Sequence, residues 1–380
     1  MKSILQKDLW SITSFLENKN YKFNKENILT QLPEKFIDEA IEAISSWDNY
    51  APTPLVKLNK LNDELKFKNI YYKDEDKRFD LKSFKALGGA FAVYKIASEK
   101  NNITVSTATA GNHGRSVAWG AQRLGLKCKI FISEFVSESR AEAMRKLDAE
   151  VIRVKGNYDN SLKECIKQSK ENNWEIVQDV SWEGYKEVPK LIMAGYTIMI
   201  KEILDEVKSN SISHVFLQAG VGGMAAAMIA GFAKLSQNIP KFIIVEPENA
   251  DCVFQSIKNN KPTSVDIKKE TVMGGMSCGD VSSIAWEILK NSSNYCLTIS
   301  DEAISTTVAL LAEKRLSDLK IIAGECAVPG IIALISSFNN KEYLDKLELN
   351  EQSNVLLFGC EGLTDSAMYQ KLLSDGLQKI

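Results

Sequence analysis

The hydrophobic pattern between about residues 100 and 180 alternates short β-branched or apolar runs with longer stretches of helical spacing. Strands are predicted at 103–109, 128–132, 151–154 and 174–177, and helices between them at 117–124, 140–147 and 159–170. Strands that alternate with helices of this length form parallel β-α-β units. The pattern therefore predicts a small α/β domain at residues 97–190.

The rest of the chain shows the same alternation around strands that are apolar along their whole length, which is typical of the centre of a parallel sheet. Such strands are predicted at 214–218, 242–245 and 354–358, and helices at 189–207, about 225–234, 281–289, 301–315 and 330–338. No linker rich in Pro, Gly or Ser separates the two parts. We therefore expect two interwoven open-sheet α/β domains with mainly parallel strands, the large one formed by residues 1–96 and 191–380.

Composition narrows the function classes. A formal charge of -2 offers no electrostatic basis for binding nucleic acid or an anionic membrane, so small-molecule chemistry is favoured. Seven cysteines without CxxC spacing and only two histidines argue against a disulfide framework and a metal site. The N-terminus lacks a secretory pattern and no apolar run approaches about 20 residues, so a cytoplasmic location is expected.

Lys85 is the first candidate for chemistry. It follows Phe84, precedes Leu87 and two glycines, and stands just before a helical run at 90–97. Apolar surroundings lower the pKa of a lysine, and the neutral amine is a nucleophile, which makes Lys85 a candidate Schiff-base lysine. The alternative is a surface lysine on an amphipathic helix, one of 47 Lys and Arg residues.

A glycine-rich turn at 219–225 lies between a predicted strand and a predicted helix. Backbone N–H groups at such a helix start bind phosphate. The same residues also fit G-x-G-x-x-A with Glu246 about two dozen residues later, which is close to a dinucleotide-binding fingerprint. Both interpretations, and a tight turn without a ligand, remain open at this stage.

Two further turns carry polar side chains at predicted strand ends. In 109–114, Asn112 could hydrogen-bond a ring hydroxyl, or it could merely cap the following helix. The turn at 178–185 contains two acids, Asp179 and Glu183, close in sequence to Trp182 and Tyr185. An acid beside an aromatic surface is expected to have a raised pKa. A solvated acidic loop is the alternative for this second turn.

These motifs, in this order, resemble the fold-type II pyridoxal-phosphate enzymes, which are tryptophan synthase β-like, and most closely the diaminopropionate ammonia-lyase family. The resemblance runs from about residue 78 to 362 and includes the extended motif at 178–185, which separates that family from ordinary threonine dehydratases. Other matching stretches are 192–196, 245–252, 274–279 and 324–325. The resemblance implies pyridoxal 5'-phosphate as cofactor, an amino acid as substrate and a homodimer.

The resemblance also implies roles for particular residues. Lys85 would form the Schiff base, Asn112 would bond the pyridine hydroxyl, and Cys360 would lie beside the pyridine nitrogen. A neutral partner such as Cys360 leaves that nitrogen unprotonated, which favours prompt loss of a β-leaving group. The phosphate cradle would consist of Gly220, Val221, Gly222, Gly223 and Met224, and the substrate would contact Ala110, Gly111, His113, Trp182 and Tyr185.

One departure from the family pattern concerns stereochemistry. The family usually has an acid, linked to the D-isomer, at the position of Ala110, whereas the acid linked to the L-isomer corresponds to Asp179. We therefore predict β-elimination on L-2,3-diaminopropionate or a related L-amino acid, giving pyruvate or another 2-oxo acid plus ammonia. Either Lys85 or Asp179 would remove the Cα proton.

Three other functions remain open from the sequence. An L-serine or L-threonine dehydratase fits the Ala-Gly-Asn-His turn at 110–113. A non-catalytic pyridoxal-phosphate-binding protein would be consistent with Ala110. A nicotinamide oxidoreductase would explain residues 220–246 but not Lys85 or Asn112.

Overall fold

The computed structural model describes residues 2–109, 111–207 and 212–380. Strands lie at β1 (Ile12–Glu17), β2 (Leu55–Lys57), β3 (Asn69–Asp74), β4 (Thr104–Ala108), β5 (Lys127–Ser133), β6 (Glu150–Val154), β7 (Glu175–Ile176), β8 (His214–Gln218), β9 (Lys241–Pro247), β10 (Tyr295–Ile299) and β11 (Asn354–Gly359). Within those described ranges, no helix combines the length and the apolar character that crossing a bilayer requires.

Helices account for most of the remaining described chain. They lie at α1 (Lys2–Leu5), α2 (Lys25–Gln31), α3 (Glu34–Ser45), α4 (Asn59–Leu65), α5 (Lys85–Glu99), α6 (Asn112–Arg123), α7 (Glu138–Arg145), α8 (Tyr158–Asn172), α9 (Glu187–Tyr196), α10 (Ile198–Val207), α11 (Gly223–Leu235), α12 (Cys252–Asn259), α13 (Ser283–Ser292), α14 (Ile304–Ala312), α15 (Pro329–Asn339), α16 (Lys341–Leu347) and α17 (Ser366–Leu377).

The first compact unit comprises Met1–Gln31, Pro52–Lys77 and Met199–Ile380. In its described part, seven strands form one sheet in the order β1-β10-β9-β8-β11-β3-β2. The two edge strands, β1 and β2, pair antiparallel, and the inner pairs are parallel. Every residue of β8, β10 and β11 is buried, as expected for apolar strands covered by helices on both faces.

The second compact unit comprises Leu32–Ala51 and Arg78–Ile198. In its described part, four parallel strands form a sheet in the order β6-β5-β4-β7. The unit is larger than the predicted small domain at 97–190, because α5 packs on α6 and α9, and α3 packs on α9. Close packing between α5 and α6 explains why α5 belongs to the second unit. A Cβ on Gly120 of α6 would lie 2.7 Å from Ala90 Cα of α5.

One predicted helix is divided in the structure. The expected helix at 189–207 is split into α9, which ends at Tyr196, and α10, which begins at Ile198. At the break, the Thr197 hydroxyl and backbone N–H donate to Ala194 O at 2.6 and 3.1 Å, which tightens the last turn of α9. The division places Tyr196 at a helix end instead of mid-helix.

A buried charged network ties β3 to α10 in the first unit. The Lys73 ammonium lies 2.6 Å from Glu202 Oε2 and donates to Thr53 O at 2.7 Å. The Thr53 hydroxyl in turn donates to Glu75 Oε1 at 2.5 Å. All four residues are buried, so each charge depends on these partners for the solvation that water would otherwise supply.

Replacing Lys73 by Met is expected to lower the free energy of unfolding by about 3–5 kcal/mol, because Glu202 then stays buried without the Lys73 ammonium. Chemical denaturation followed by circular dichroism measures the change. Lys341→Met is the control, since its ion pair with Asp345 is exposed on α16 and should leave the midpoint unchanged. Equal midpoints for the two variants would contradict the prediction.

Candidate active site

Lys85 is the first residue of α5. The helix thus begins five residues before the predicted run at 90–97. The backbone N–H of Lys85 donates to Ser83 Oγ at 3.3 Å, and its Nζ lies 5.3 Å from the centre of the Phe84 ring. The side chain keeps 26% of its surface exposed. Lys85 is therefore anchored at its backbone and reaches across an aromatic surface, with its amine still accessible.

An ion pair joins Lys85 Nζ to Asp179 Oδ2 at 2.5 Å. Burial alone would raise the pKa of the Asp179 carboxyl, but the neighbouring His113 and the Lys85 ammonium bring that pKa below its ordinary value. The sequence-based expectation of a raised pKa is therefore wrong, because the charge of Lys85 favours the ionised acid. Asp179 is a carboxylate here, suited to holding a cation.

His113 lies behind this ion pair in α6. Its Nε2 donates to Val177 O at 2.7 Å, and its Nδ1 lies 3.8 Å from Asp179 Oδ2 with no hydrogen-bond partner among the described residues. Burial lowers the pKa of His113; Asp179 opposes that shift and Lys85 adds to it. The ring is therefore neutral near pH 7, with an acceptor nitrogen directed at the pair.

The amide of Gln178 holds the segment that carries Asp179. Its Oε1 accepts from Thr107 Oγ1 at 2.9 Å and from Ala108 N at 3.0 Å. Its Nε2 donates to Ala108 O at 2.9 Å and to Tyr158 Oη at 2.7 Å. Four bonds from one buried amide fix the chain after β7 to the end of β4, which places the Asp179 carboxylate at the carboxyl end of the sheet.

Trp182 and Tyr185 belong to the turn after Asp179. Their rings stack with centroids 4.2 Å apart. The Tyr185 hydroxyl donates to Ile176 O at 2.8 Å and accepts from Gln178 N at 2.8 Å. Its proton is therefore engaged by the backbone. The two rings therefore stabilise the turn, and the predicted contacts with substrate stay predictions.

Asn112 begins α6, with Gly111 at the N-cap position. The Asn112 side chain therefore does not act as the helix cap that the sequence left open. The Thr109 hydroxyl accepts from Gly111 N at 3.0 Å and shapes the turn. Ala110, where the sequence departs from the family pattern, lies outside the described residues.

In the first unit, the predicted phosphate cradle connects β8 to α11. Gly222 has φ +88°, a left-handed conformation that favours glycine, and a Cβ there would lie 2.8 Å from Leu289 Cδ1. A Cβ on Gly220 would lie 3.0 Å from Cys278 Sγ. The backbone thus turns sharply with no side chain on Gly220, Gly222 or Gly223, and it leads into the 13-residue helix α11.

Glu246 does not serve as the acid of a dinucleotide fingerprint. Its carboxylate is fully buried and accepts from Val253 N at 2.9 Å and from Phe254 N at 2.7 Å, at the start of α12. Burial raises the pKa of this acid well above its ordinary value. The Glu246 carboxyl group therefore anchors a helix of its own unit, which removes the main support for a nicotinamide enzyme.

Cys360 follows the last residue of β11. Its thiol is buried and donates to Cys326 O at 3.1 Å. The neighbouring Glu361 accepts from Cys326 N at 3.1 Å, so the two short segments are held together. A thiol that donates to a carbonyl is a neutral group, which is the property that the resemblance requires at this position.

Tyr196 is a site residue to which the sequence assigned no role. Its ring packs against Phe84 with centroids 4.7 Å apart, and Lys85 Nζ lies 5.7 Å from the Tyr196 ring centre. The motif at 192–196 was part of the resemblance, but the contact joins α9 to α5 and leaves no local spacing signal. The tyrosine at the end of that motif was the one sequence feature that could have indicated the contact.

Known proteins show the same architecture and pattern. Residues 47–358 match the family described as pyridoxal-phosphate dependent enzyme. Diaminopropionate ammonia-lyase of Escherichia coli K12 is 34% identical over 352 residues, which cover 86% of this chain and 88% of the relative. Biosynthetic L-threonine dehydratase of Haemophilus influenzae is 30% identical over 213 residues, but only 39% of that relative is covered.

The solved structure of Escherichia coli diaminopropionate ammonia-lyase in complex with an aminoacrylate–pyridoxal-phosphate reaction intermediate is similar over almost the whole chain. The TM-score is 0.89 at 31% identity, and the match covers 97% of this chain and 99% of the other. The expected α/β architecture is thereby confirmed. The chain therefore belongs to the fold-type II pyridoxal-phosphate-dependent enzymes and, within them, to the diaminopropionate ammonia-lyase family.

Proposed function

We propose that the protein is a pyridoxal-phosphate-dependent ammonia-lyase that removes the β-amino group of L-2,3-diaminopropionate or a related L-amino acid. The observation that carries the proposal is the Lys85–Asp179 ion pair, which places a reactive amine beside a carboxylate that can hold a second cation. The name and coverage of the Escherichia coli relative support the same substrate class.

The described residues fit the cofactor. Gly220 and Gly222 lack side chains where a Cβ would collide with neighbouring residues, so the backbone can turn tightly there. The start of α11 follows, and backbone N–H groups at a helix start can bind a phosphate. We propose that residues 220–224 hold the phosphate, that Asn112 bonds the ring hydroxyl, and that the Cys360 thiol faces the ring nitrogen. When bound, pyridoxal phosphate acidifies the Cα–H of an attached amino acid by accepting electron density.

Lys85 and Asp179 divide the proton transfers. When Lys85 is not bound to the cofactor, the neutral amine of Lys85 would be able to take the Cα proton as a general base. The Asp179 carboxylate can hold the β-ammonium and thereby favour the protonated form in which it leaves as ammonia. The neutral His113 ring adds no charge beside that carboxylate, and its Nδ1, 3.8 Å from Asp179 Oδ2, is an acceptor that makes no hydrogen bond to it.

The balanced reaction consumes one water. The Cα–H bond and the bond from Cβ to nitrogen break, and a carbon–carbon double bond forms. After release, water replaces the α-amino nitrogen. Diaminopropionate and water thus give pyruvate and two molecules of ammonia, with no change of oxidation state that would require an external oxidant.

A hydroxyamino acid dehydratase is the second candidate, supported by the partial match to L-threonine dehydratase. Its hydroxide leaving group needs a proton from an acid, and the lowered pKa of Asp179 leaves that residue without one near pH 7. The ion pair therefore favours the diamine. A non-catalytic binding protein is the third candidate, and it requires that no β-substituted amino acid release ammonia.

A cytoplasmic location and a homodimer stay predictions from the sequence. The first rests on the N-terminal pattern and the second on the family resemblance. Sedimentation equilibrium should give twice the mass of one chain if the assembly is a dimer.

The Lys85→Ala variant is expected to lose the visible absorbance of the bound cofactor and to release ammonia at least about 10²–10⁴-fold more slowly, because both the covalent anchor and the base are removed. Absorbance spectra and an ammonia assay measure both effects. Lys100→Ala is the control, since this lysine lies at the other end of the same helix and is half exposed. Unchanged absorbance in Lys85→Ala would refute the assignment.

The wild-type enzyme is expected to turn over L-2,3-diaminopropionate at least about tenfold faster than the D-isomer, since Asp179 is present and Ala110 cannot act as an acid. Pyruvate and ammonia are measured for both isomers, with L-serine and L-threonine assayed in parallel. Equal rates for the two isomers would contradict the stereochemical prediction, and faster turnover of L-serine or L-threonine would favour the dehydratase.

A further inference from the structure

Tyr196 lies beside the Lys85 side chain and is almost completely buried. Only 2% of its surface is exposed, and its ring packs against the Phe84 ring and lies next to Gly88 of α5. Lys85 Nζ lies 5.7 Å from the centre of the Tyr196 ring. The phenol is therefore close to the reactive amine without contributing to its ion pair with Asp179.

The backbone is built to admit this ring. A Cβ on Gly88 would lie 2.5 Å from Tyr196 Cε1 and 2.5 Å from Ile192 O, so a side chain at position 88 would collide with both α9 and the ring. On the other helix, a Cβ on Gly195 would lie 2.8 Å from Leu87 O. Two glycines thus bring α5 and α9 together at the point where Tyr196 meets Lys85.

Among the described residues, no partner of the Tyr196 hydroxyl meets hydrogen-bond geometry, although the Lys85 amine is near enough to lower the pKa of Tyr196 by a side-chain interaction. Buried hydroxyl groups usually have one, because an unpaired polar group in the interior costs free energy. Burial raises the pKa of Tyr196, the Lys85 charge lowers it and Asp179 raises it, so the net shift is upward. The hydroxyl thus remains a protonated donor across the pH range in which Lys85 works.

The two neighbours of Lys85 favour opposite forms of its amine. A carboxylate only accepts hydrogen bonds, so Asp179 favours the ammonium. A phenol can also donate, and a neutral amine has a lone pair to receive that bond. The titratable groups that face the Lys85–Asp179 pair from packed elements are His113 on α6 and Tyr196 on α9. Of these, Tyr196 is the donor without a described partner.

We propose that Tyr196 is a positioning residue for Lys85, whose neutral amine accepts a hydrogen bond from the Tyr196 hydroxyl whenever it leaves Asp179. The hydrogen bond holds the neutral Lys85 amine at the Tyr196 hydroxyl. After the amine takes a proton, it returns to Asp179 as the ammonium. This inference rests on the proposed role of Lys85 as the carrier of the Cα proton. It assigns a role to a buried hydroxyl that makes no hydrogen bond of good geometry among the described residues.

The test measures the protonation of Lys85 directly in the cofactor-free protein. Acetic anhydride in trace amount modifies only neutral amines, so mass spectrometry of the peptide containing Lys85 gives its labelling rate between about pH 6 and 11. Tyr196→Phe keeps the ring against Gly88 and removes only the hydroxyl. We expect Lys85 to label roughly 3- to 10-fold more slowly below its midpoint, and the midpoint to move up, since one hydrogen bond to the neutral form is lost.

Tyr369→Phe in α17 is the matched control, because Tyr369 is also buried and its hydroxyl also has no described partner. Thermal unfolding of both variants checks that they fold. A midpoint for Lys85 that stays at the wild-type value, or that moves equally in Tyr369→Phe, overturns the proposal. Cofactor absorbance of the wild-type protein is recorded separately, so failure of the proposed function is distinguished from failure of this inference.

Discussion

A charge pair in partly buried surroundings governs the arrangement around Lys85. Lys85 and Asp179 keep 26% and 14% of their side-chain surface, so neither charge is fully solvated and each needs the other. The pair must therefore be held by groups that do not themselves carry a competing charge. Three uncharged groups of the same unit meet that requirement. They are the His113 ring on α6, the Gln178 amide in the segment after β7, and the Tyr196 phenol on α9.

Close backbone approach is the second constraint, and it recurs in both units. Gly88 and Gly195 let two helices meet beside Lys85, while Gly220 and Gly222 let the strand-to-helix turn of the first unit run without side chains. In each case an added Cβ would lie within about 3 Å of a neighbouring atom, closer than carbon atoms pack. These glycines therefore serve the shape of the sites, and only Gly222 also needs its left-handed φ.

The ionised state of Asp179 depends on its neighbours and bears on which leaving group the protein can accept. Burial raises the pKa of Asp179, but the charge and the hydrogen bond of the Lys85 ammonium outweigh burial, so the carboxylate stays ionised. An ionised acid binds an ammonium leaving group better than it protonates a hydroxide. Under the proposed function, the same carboxylate that pairs with Lys85 would favour a diamine substrate over a hydroxyamino acid.

Much of the fold could be predicted from the chain alone because the pattern is local and strong. The predicted strands at 103–109, 128–132 and 151–154 correspond to β4, β5 and β6, and the predicted helix at 159–170 corresponds to α8. The edge strand β1 was missed because its residues alternate poorly between buried and exposed positions. The break at Thr197 was missed because the apolar periodicity continues across it.

The sequence by itself determined the fold class and the cofactor family, because these depend on ordered motifs whose residues are close together in the chain. It also predicted Lys85 as the Schiff-base lysine. Tertiary structure decided the rest. The sign of the pKa shift of Asp179, the internal use of Glu246 by α12 and the place of Tyr196 beside Lys85 all depend on groups that are distant in sequence. Electrostatic interactions and packing depend on distances in space. These distances cannot be inferred from spacing along the chain, because folding brings together residues that are far apart in sequence.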